Sequence, residues 1–225
     1  MVPDLSSNER LRNEGLAPIS RGMPKIIAVF VGVLLFSGVA WAKPATLLVL
    51  GDSLTAGYGL AANDAFPVKL EAALTAKYPD LHILNAGVSG DTAADGLARL
   101  DWALTDEVTG LIVELGANDA LRGLGVGQTE AALDEILSKA KTRNLPVLIL
   151  GMKAPPNLGP DYVMAFDGLY PRLAEKYQAL LYPFYLDGVA ADPALNQADG
   201  IHPNAKGVDI IVSKLAAKVE ELLAK

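Results

Sequence analysis

Val49-Leu50-Gly51-Asp52-Ser53-Leu54-Thr55-Ala56-Gly57-Tyr58-Gly59 is the stretch from which the rest of the chain can be read. Thr46 to Leu50 is β-branched and apolar without alternation, the pattern of a strand buried on both faces. Gly51 ends the run and a small serine follows at once. Open α/β sheets place their reactive groups just beyond the carboxyl ends of their strands. Gly57 and Gly59 permit a tight backbone before the next helix. Taken alone, Ser53 is equally well an ordinary turn or cap serine, so its meaning depends on partners elsewhere.

Outward from this stretch, strand-like and helix-like segments alternate. Strands are predicted at Thr46–Leu50, Leu81–Leu84, Leu111–Leu115, Pro146–Leu150 and Leu180–Phe184. Helices are predicted at Ala65–Tyr78, Thr92–Leu104, Thr129–Lys141, Ala165–Tyr177 and Ala205–Ala224, with Thr92 and Thr129 as caps. Such alternation implies one α/β domain, a parallel sheet with helices on both faces. The Pro- and Gly-containing loop 153–161 is expected to form a lid or rim.

The chain has 225 residues and a net charge of −7. That is enough for one full core, and it lacks the basic footprint of a nucleic-acid binder. With no cysteine, thiolate nucleophiles, disulfides and Cys-ligated zinc are excluded. His82 and His202 are the only histidines, so any imidazole chemistry must use one of them. At the amino end, Ile26–Ala40 is a run of 15 uncharged residues preceded by Arg21 and Lys25 and closed by Ala40-Trp41-Ala42. Basic flank, short apolar run and small-x-small site predict a signal peptide over 23–42, hence a periplasmic or secreted protein. Residues 1–22 are expected to be an irregular extension ahead of a start at Met23. Cleavage after Ala42 would leave Lys43–Lys225 with a net charge of −8. An uncleaved anchor is the alternative, although the run is short of the ~20 residues a span needs.

A nucleophilic Ser53 needs a base, and the base an orienting acid. Asp199-Gly200-Ile201-His202-Pro203-Asn204 supplies both on one short loop before the last helix. His202 would take the Ser53 proton and Asp199 would hold the imidazole tautomer. Asp187 and Asp192 are substitutes that share no short loop with His202. His82 sits in a strand pattern with no serine or acid nearby and is expected at a strand edge or surface. Oxyanion donors are expected from a glycine N–H within Asn85–Thr92 and from the Asn118 amide in Gly116-Ala117-Asn118-Asp119, each donor stabilising the transition state by ~3 kcal/mol. Asp52, Asp91, Glu114 and Asp119 are expected to fix turns by hydrogen bonding. Nothing in their spacing demands a metal.

Four blocks, Gly51-Asp52-Ser53-Leu54, Ser89-Gly90-Asp91-Thr92, Gly116-Ala117-Asn118-Asp119 and Asp199-Gly200-Ile201-His202, occur in this order and spacing. In this the sequence resembles the SGNH-hydrolase superfamily of GDSL esterases and lipases. It is most similar to the bacterial periplasmic branch of multifunctional thioesterases, lysophospholipases and arylesterases. The resemblance implies a flavodoxin-like three-layer α/β/α sandwich with a five-stranded parallel sheet. It implies a Ser53, His202, Asp199 triad and an oxyanion hole from Ser53, Gly90 and Asn118, with Gly90 preferred over Gly87. It implies ester and thioester hydrolysis without cofactor or metal, on a small acyl ester, thioester or lysophospholipid. Transient contact with a membrane surface and a monomeric state are expected. The Ala120–Gly127 segment is expected to border the acyl pocket, and activity to fall on acidification as His202 is protonated. A carbohydrate acetylesterase with the same residues and a different pocket is one rival reading. A non-catalytic lipid- or glycan-binding protein on the same scaffold is another.

Overall fold

The computed structural model describes residues 44–225; the signal-peptide and extension readings over 1–42 lie outside the described residues. Five strands, β1 (Ala45–Gly51), β2 (Leu81–Gly87), β3 (Gly110–Glu114), β4 (Val147–Leu150) and β5 (Leu180–Tyr182), form one sheet in the order β2-β1-β3-β4-β5. Every neighbouring pair is parallel. Seven helices connect and close them: α1 (Ser53–Ala56), α2 (Phe66–Leu74), α3 (Ala93–Ala103), α4 (Ala117–Leu121), α5 (Val126–Thr142), α6 (Pro160–Tyr177) and α7 (Ala205–Leu223). Helix α2 packs on α7, while α3, α5 and α6 pack side by side as a second row. The helices cover both faces of the sheet, which explains why the central strands are apolar throughout: Leu47–Leu50 and Leu111–Val113 are all essentially inaccessible.

The strand order reverses between β1 and β3, and the chain leaves β1 on one side of that point and β3 on the other. Gly51 is in register with both Gly87 and Glu114. The turns after β1, β2 and β3 therefore meet at one sheet edge, the switch point where such folds bind ligands.

Several boundaries differ from the sequence expectation, each for a tertiary reason. Strand β2 continues to Gly87 because it pairs with all seven residues of β1. The Asn85-Ala86-Gly87 triplet is thus strand, not turn. His82 is exposed on this edge strand, and the Glu71 carboxylate caps the edge by accepting the Ile83 N–H. Helix α5 begins at Val126, so Thr129 is not its cap; Thr129 is buried and donates to Asp119 Oδ1 at 2.9 Å. Helix α7 is capped by Asn204, whose side chain accepts from the Lys206 and Gly207 N–H groups, with Pro203 just outside. Helix α6 starts at Pro160, which shortens the 153–161 loop. The Thr92 cap stands, as half of a capping box with Asp95.

Candidate active site

Ser53 opens α1 directly after β1, and Asp52 caps that helix by accepting the Leu54 N–H at 2.9 Å. The Ser53 hydroxyl lies 2.9 Å from His202 Nε2. On the far side of the ring, His202 Nδ1 is 2.7 Å from Asp199 Oδ2. With the proton on Nδ1 donated to Asp199, Nε2 is left to accept from Ser53. The other Asp199 oxygen accepts the Ile201 and His202 N–H groups at 3.0 and 3.1 Å. These backbone bonds and the imidazole hold the Asp199 carboxyl down to about 2. Asp199 thus stays ionised across the range in which histidine titrates. The two substitutes are engaged elsewhere: Asp187 pairs with Lys214 at 2.7 Å and Asp192 accepts the Ala194 N–H.

The loop that carries His202 is fixed by its own backbone. Gln197 N–H donates to His202 O at 2.7 Å and Asn204 N–H to Leu195 O at 2.9 Å. The Gln197 amide also donates to Tyr58 O at 2.7 Å, tying this loop to the one after α1. Tyr58 itself lies against His202, with ring centroids 4.7 Å apart. It partly covers the imidazole, a role with no signature in the sequence beyond its place between Gly57 and Gly59.

Ser53, Gly90 and Asn118 follow β1, β2 and β3 at the same edge of the sheet. The N–H groups of Ser53 and Gly90 donate to no protein acceptor among the described residues. The Asn118 amide is different. Its Nδ2 lies 3.0 Å from Asp52 Oδ2 and 3.0 Å from Asp91 O, so both of its protons have acceptors. Two arginines hold the surrounding turns. Arg99 bonds Asp91 Oδ2 at 2.6 Å and Gly51 O at 2.9 Å, and Arg122 donates to Gly90 O at 2.7 Å. Gly87 lies in β2, away from this corner in role: a Cβ there would sit 2.3 Å from the Ala56 nitrogen, so it is a packing glycine.

Behind the nucleophile lies a buried pair of acids. Glu114 Oε2 accepts from Thr55 Oγ1 at 2.7 Å and from Asp52 N–H at 3.3 Å, gripping the chain on either side of Ser53. Its Oε1 is buried with no partner among the described residues. An ionised carboxylate with an orphaned oxygen is costly in such a place. Burial and the Asp52 charge push Glu114 well above the usual carboxylate range, and burial pushes Asp52 up to about 6. The two like charges oppose each other's ionisation, and the Leu54 N–H and the Asn118 amide meet the Asp52 carboxyl. The sign of the pH effect follows. The folded state holds the Asp52 proton more tightly than the unfolded chain, so this stability is present below pH 3.8 and lost as pH rises through about 6. We expect the urea midpoint to fall between pH 4 and 6, with Asp52 alone contributing on the order of 3 kcal/mol at most to the loss of stability. A flat or rising midpoint would remove the buried-acid account. Asp119 and Asp91 fix turns as expected, through the Ala93 N–H and Arg99 respectively.

Beside Ser53 and His202 opens a cavity of about 620 Å³. Its walls are mostly apolar and include Leu54, Leu121, Met152, Phe184, Leu186 and Ile201. Of the Ala120–Gly127 segment, Leu121 alone is in the lining, while Lys153, Ala154 and Pro155 make loop 153–161 part of the rim.

Comparison with known proteins bears on this arrangement. The sequence profile of the GDSL-like Lipase/Acylhydrolase family matches residues 49–210. Esterase TesA of Pseudomonas aeruginosa is 43% identical over 159 residues, 70% of this chain and 79% of that protein. Thioesterase 1/protease 1/lysophospholipase L1 of Escherichia coli K12 is 40% identical over 179 residues, 79% of this chain and 85% of that protein. Among solved structures, AlinE4, an SGNH-hydrolase family esterase, superposes with a TM-score of 0.67 at 47% identity, covering 80% of this chain and 96% of that one. A serine, histidine and aspartate in one hydrogen-bonded line, at the switch point of a 2-1-3-4-5 sheet, thus sit within the matched residues 49–210, and the chain belongs to the GDSL-like Lipase/Acylhydrolase family.

Proposed function

We propose that this chain is a serine hydrolase that cleaves carboxylic esters and thioesters, including aryl esters and lysophospholipids, through an acyl-enzyme. The observation that carries the reading is the unbroken line Ser53 Oγ, His202, Asp199 at the mouth of an apolar cavity. Ser53 Oγ attacks the acyl carbonyl carbon while His202 Nε2 takes its proton. Asp199 holds the other ring proton and stabilises the imidazolium. The carbonyl oxygen becomes an oxyanion, met by the N–H groups of Ser53 and Gly90. Asn118 joins them by exchanging its contact with Asp91 O for the oxyanion. The tetrahedral intermediate collapses, the alcohol or thiol leaves with the proton from His202, and the acyl group stays on Ser53. A water deprotonated by His202 then releases the acid. Asp52 and Glu114 act on the framework and not on the substrate.

The relatives are named as esterase, thioesterase and lysophospholipase, which supports acyl substrates with an apolar tail. The size and apolar walls of the cavity favour chains longer than acetyl over the carbohydrate acetylesterase reading. p-Nitrophenyl esters from acetate to palmitate test this with residues 43–225. Turnover is expected to peak at a chain longer than acetate. Activity confined to acetate would favour the acetylesterase. Lipid binding that persists without turnover would favour the non-catalytic protein.

We further propose that residues 23–42 direct export and that a monomer of 43–225 works in the periplasm or outside the cell. The basic flank, apolar run and Ala40-Trp41-Ala42 support this. Amino-terminal sequencing of the exported protein should read Lys43-Pro44; intact residues 26–40 would mean an anchor instead. Exposed Leu121 and Ile201 at the cavity mouth support brief contact with a lipid surface.

A further inference from the structure

We propose that Lys153 forms a subsite for an anionic group, carboxylate or phosphate, carried by the substrate some distance from the scissile carbonyl. The inference rests on the ester-hydrolase reading and narrows its substrates.

Among the described residues, Lys153 is the only lysine or arginine in the cavity lining. Among the described residues no carboxylate lies within salt-bridge distance of it and no acceptor within hydrogen-bond distance. Asp187, whose carboxyl feels the Lys153 charge weakly, is held by Lys214 at 2.7 Å. Most other lysines of the described chain have a carboxylate partner: Lys69, Lys77, Lys139, Lys176, Lys214 and Lys218. At Lys153 the ammonium lies instead over the Phe184 ring, 5.0 Å from its centroid. That contact steadies a cation without neutralising it.

The backbone beneath it is pinned. Met152 and Ala154 on either side are buried. The Ala154 N–H donates to Asp167 Oδ1 at 2.9 Å, and Gly151 exchanges two backbone bonds at 2.8 Å with Tyr182 and Tyr185. The lysine stem thus starts from one place on the rim. That place follows β4, two strands from β1, or ~10 Å across the sheet edge at the usual strand spacing. An ester bound at Ser53 with its chain in the cavity would bring a group several bonds from the carbonyl to this ammonium. The chain as a whole is acidic, at −7, and its field opposes an anionic substrate. A local, unneutralised cation is what lets such a substrate enter.

Two pairs of substrates test the subsite and separate its sources. The first pair is p-nitrophenyl hexanoate and the p-nitrophenyl monoester of adipic acid. The second is 1-octanoyl-glycerol and 1-octanoyl-lysophosphatidic acid. Each is assayed with the parent, Lys153→Met, which keeps the stem, and Lys153→Arg, which keeps the charge. The expected result is a loss of about 10-fold in kcat/KM for Lys153→Met, carried by KM, on the anionic member of at least one pair. That is the size of one charge-assisted hydrogen bond. The neutral member stays within 2-fold, and Lys153→Arg restores the anionic one. The pair that responds names a carboxylate on the acyl chain or a phosphate on the leaving alcohol. Parallel losses on neutral and anionic members, or no loss on either anion, would overturn the subsite while leaving the esterase reading in place. No turnover of the neutral esters by the parent would overturn the esterase reading, and the subsite with it.

Discussion

Ser53→Ala is expected to lower kcat on p-nitrophenyl esters by on the order of 10⁴-fold or more, to near background. The reason is that no other group can form the acyl-enzyme. The chain has no cysteine, and among the described residues His202 Nε2 bonds only this hydroxyl. Fold and binding should survive. Ser53 is half-buried, its hydroxyl bonds only His202 among the described residues, its carbonyl accepts the Gly57 and Tyr58 N–H groups, and the residues on either side are held by Asp52, Thr55 and Glu114. The check is a melting curve that superposes on the parent's together with a lost burst of p-nitrophenol. If instead the variant keeps more than a hundredth of the parent rate, Ser53 is not the nucleophile. Because the triad acts as a unit, His202→Ala in the Ser53→Ala background should then cost almost nothing more.

Gly51→Ala is the second large effect, and it falls on stability and catalysis together. A Cβ at Gly51 would lie 2.0 Å from Thr55 Oγ1 and 2.7 Å from Glu114 Oε2. Neither neighbour can retreat. Thr55 is buried in α1, and Glu114 is a buried side chain whose one bonded oxygen holds both Thr55 and Asp52. Relief must come from moving α1, and with it Ser53. Overpacking of this kind costs about 3 kcal/mol. A shift of the nucleophile by ~1 Å costs about 100-fold in kcat. Urea unfolding and kcat measured on the same preparation check both. Gly127→Ala is the control: a Cβ there meets nothing within 4 Å and lies in α5, so it should be neutral or stabilise by up to ~1 kcal/mol. A Gly51→Ala protein as stable and active as the parent would mean that the contact between the Glu114 carboxyl and α1 is looser than 2.7 Å.

The fold was legible where the signal is local. Continuous apolar runs marked β1, β3 and β4 because strands covered on both faces must be apolar at every position. Thr92 marked the start of α3 because a capping box is complete within four residues. The errors came where a tertiary contact overrides local preference. Thr129 has the composition of a cap, yet the chain turns helical three residues earlier and buries that hydroxyl against Asp119. Asn85-Ala86-Gly87 has the composition of a turn, yet pairing with β1 draws it into the sheet.

By itself the sequence determined the element order, the parallel α/β class and the short list of groups able to do acyl chemistry. Those follow from hydrophobic period, turn residues and side-chain type, which act over a few residues. Only the tertiary structure decided that Asp199, and not Asp187 or Asp192, faces the imidazole, and that Asn118 is already bonded to Asp52 and Asp91. It alone decided that Asp52 and Glu114 are buried together behind the nucleophile and that Lys153 lies in the cavity lining. Ser53 and His202 are 149 residues apart along the chain. Their 2.9 Å approach, like the burial that shifts a carboxyl, depends on strand order and packing, which no local window contains.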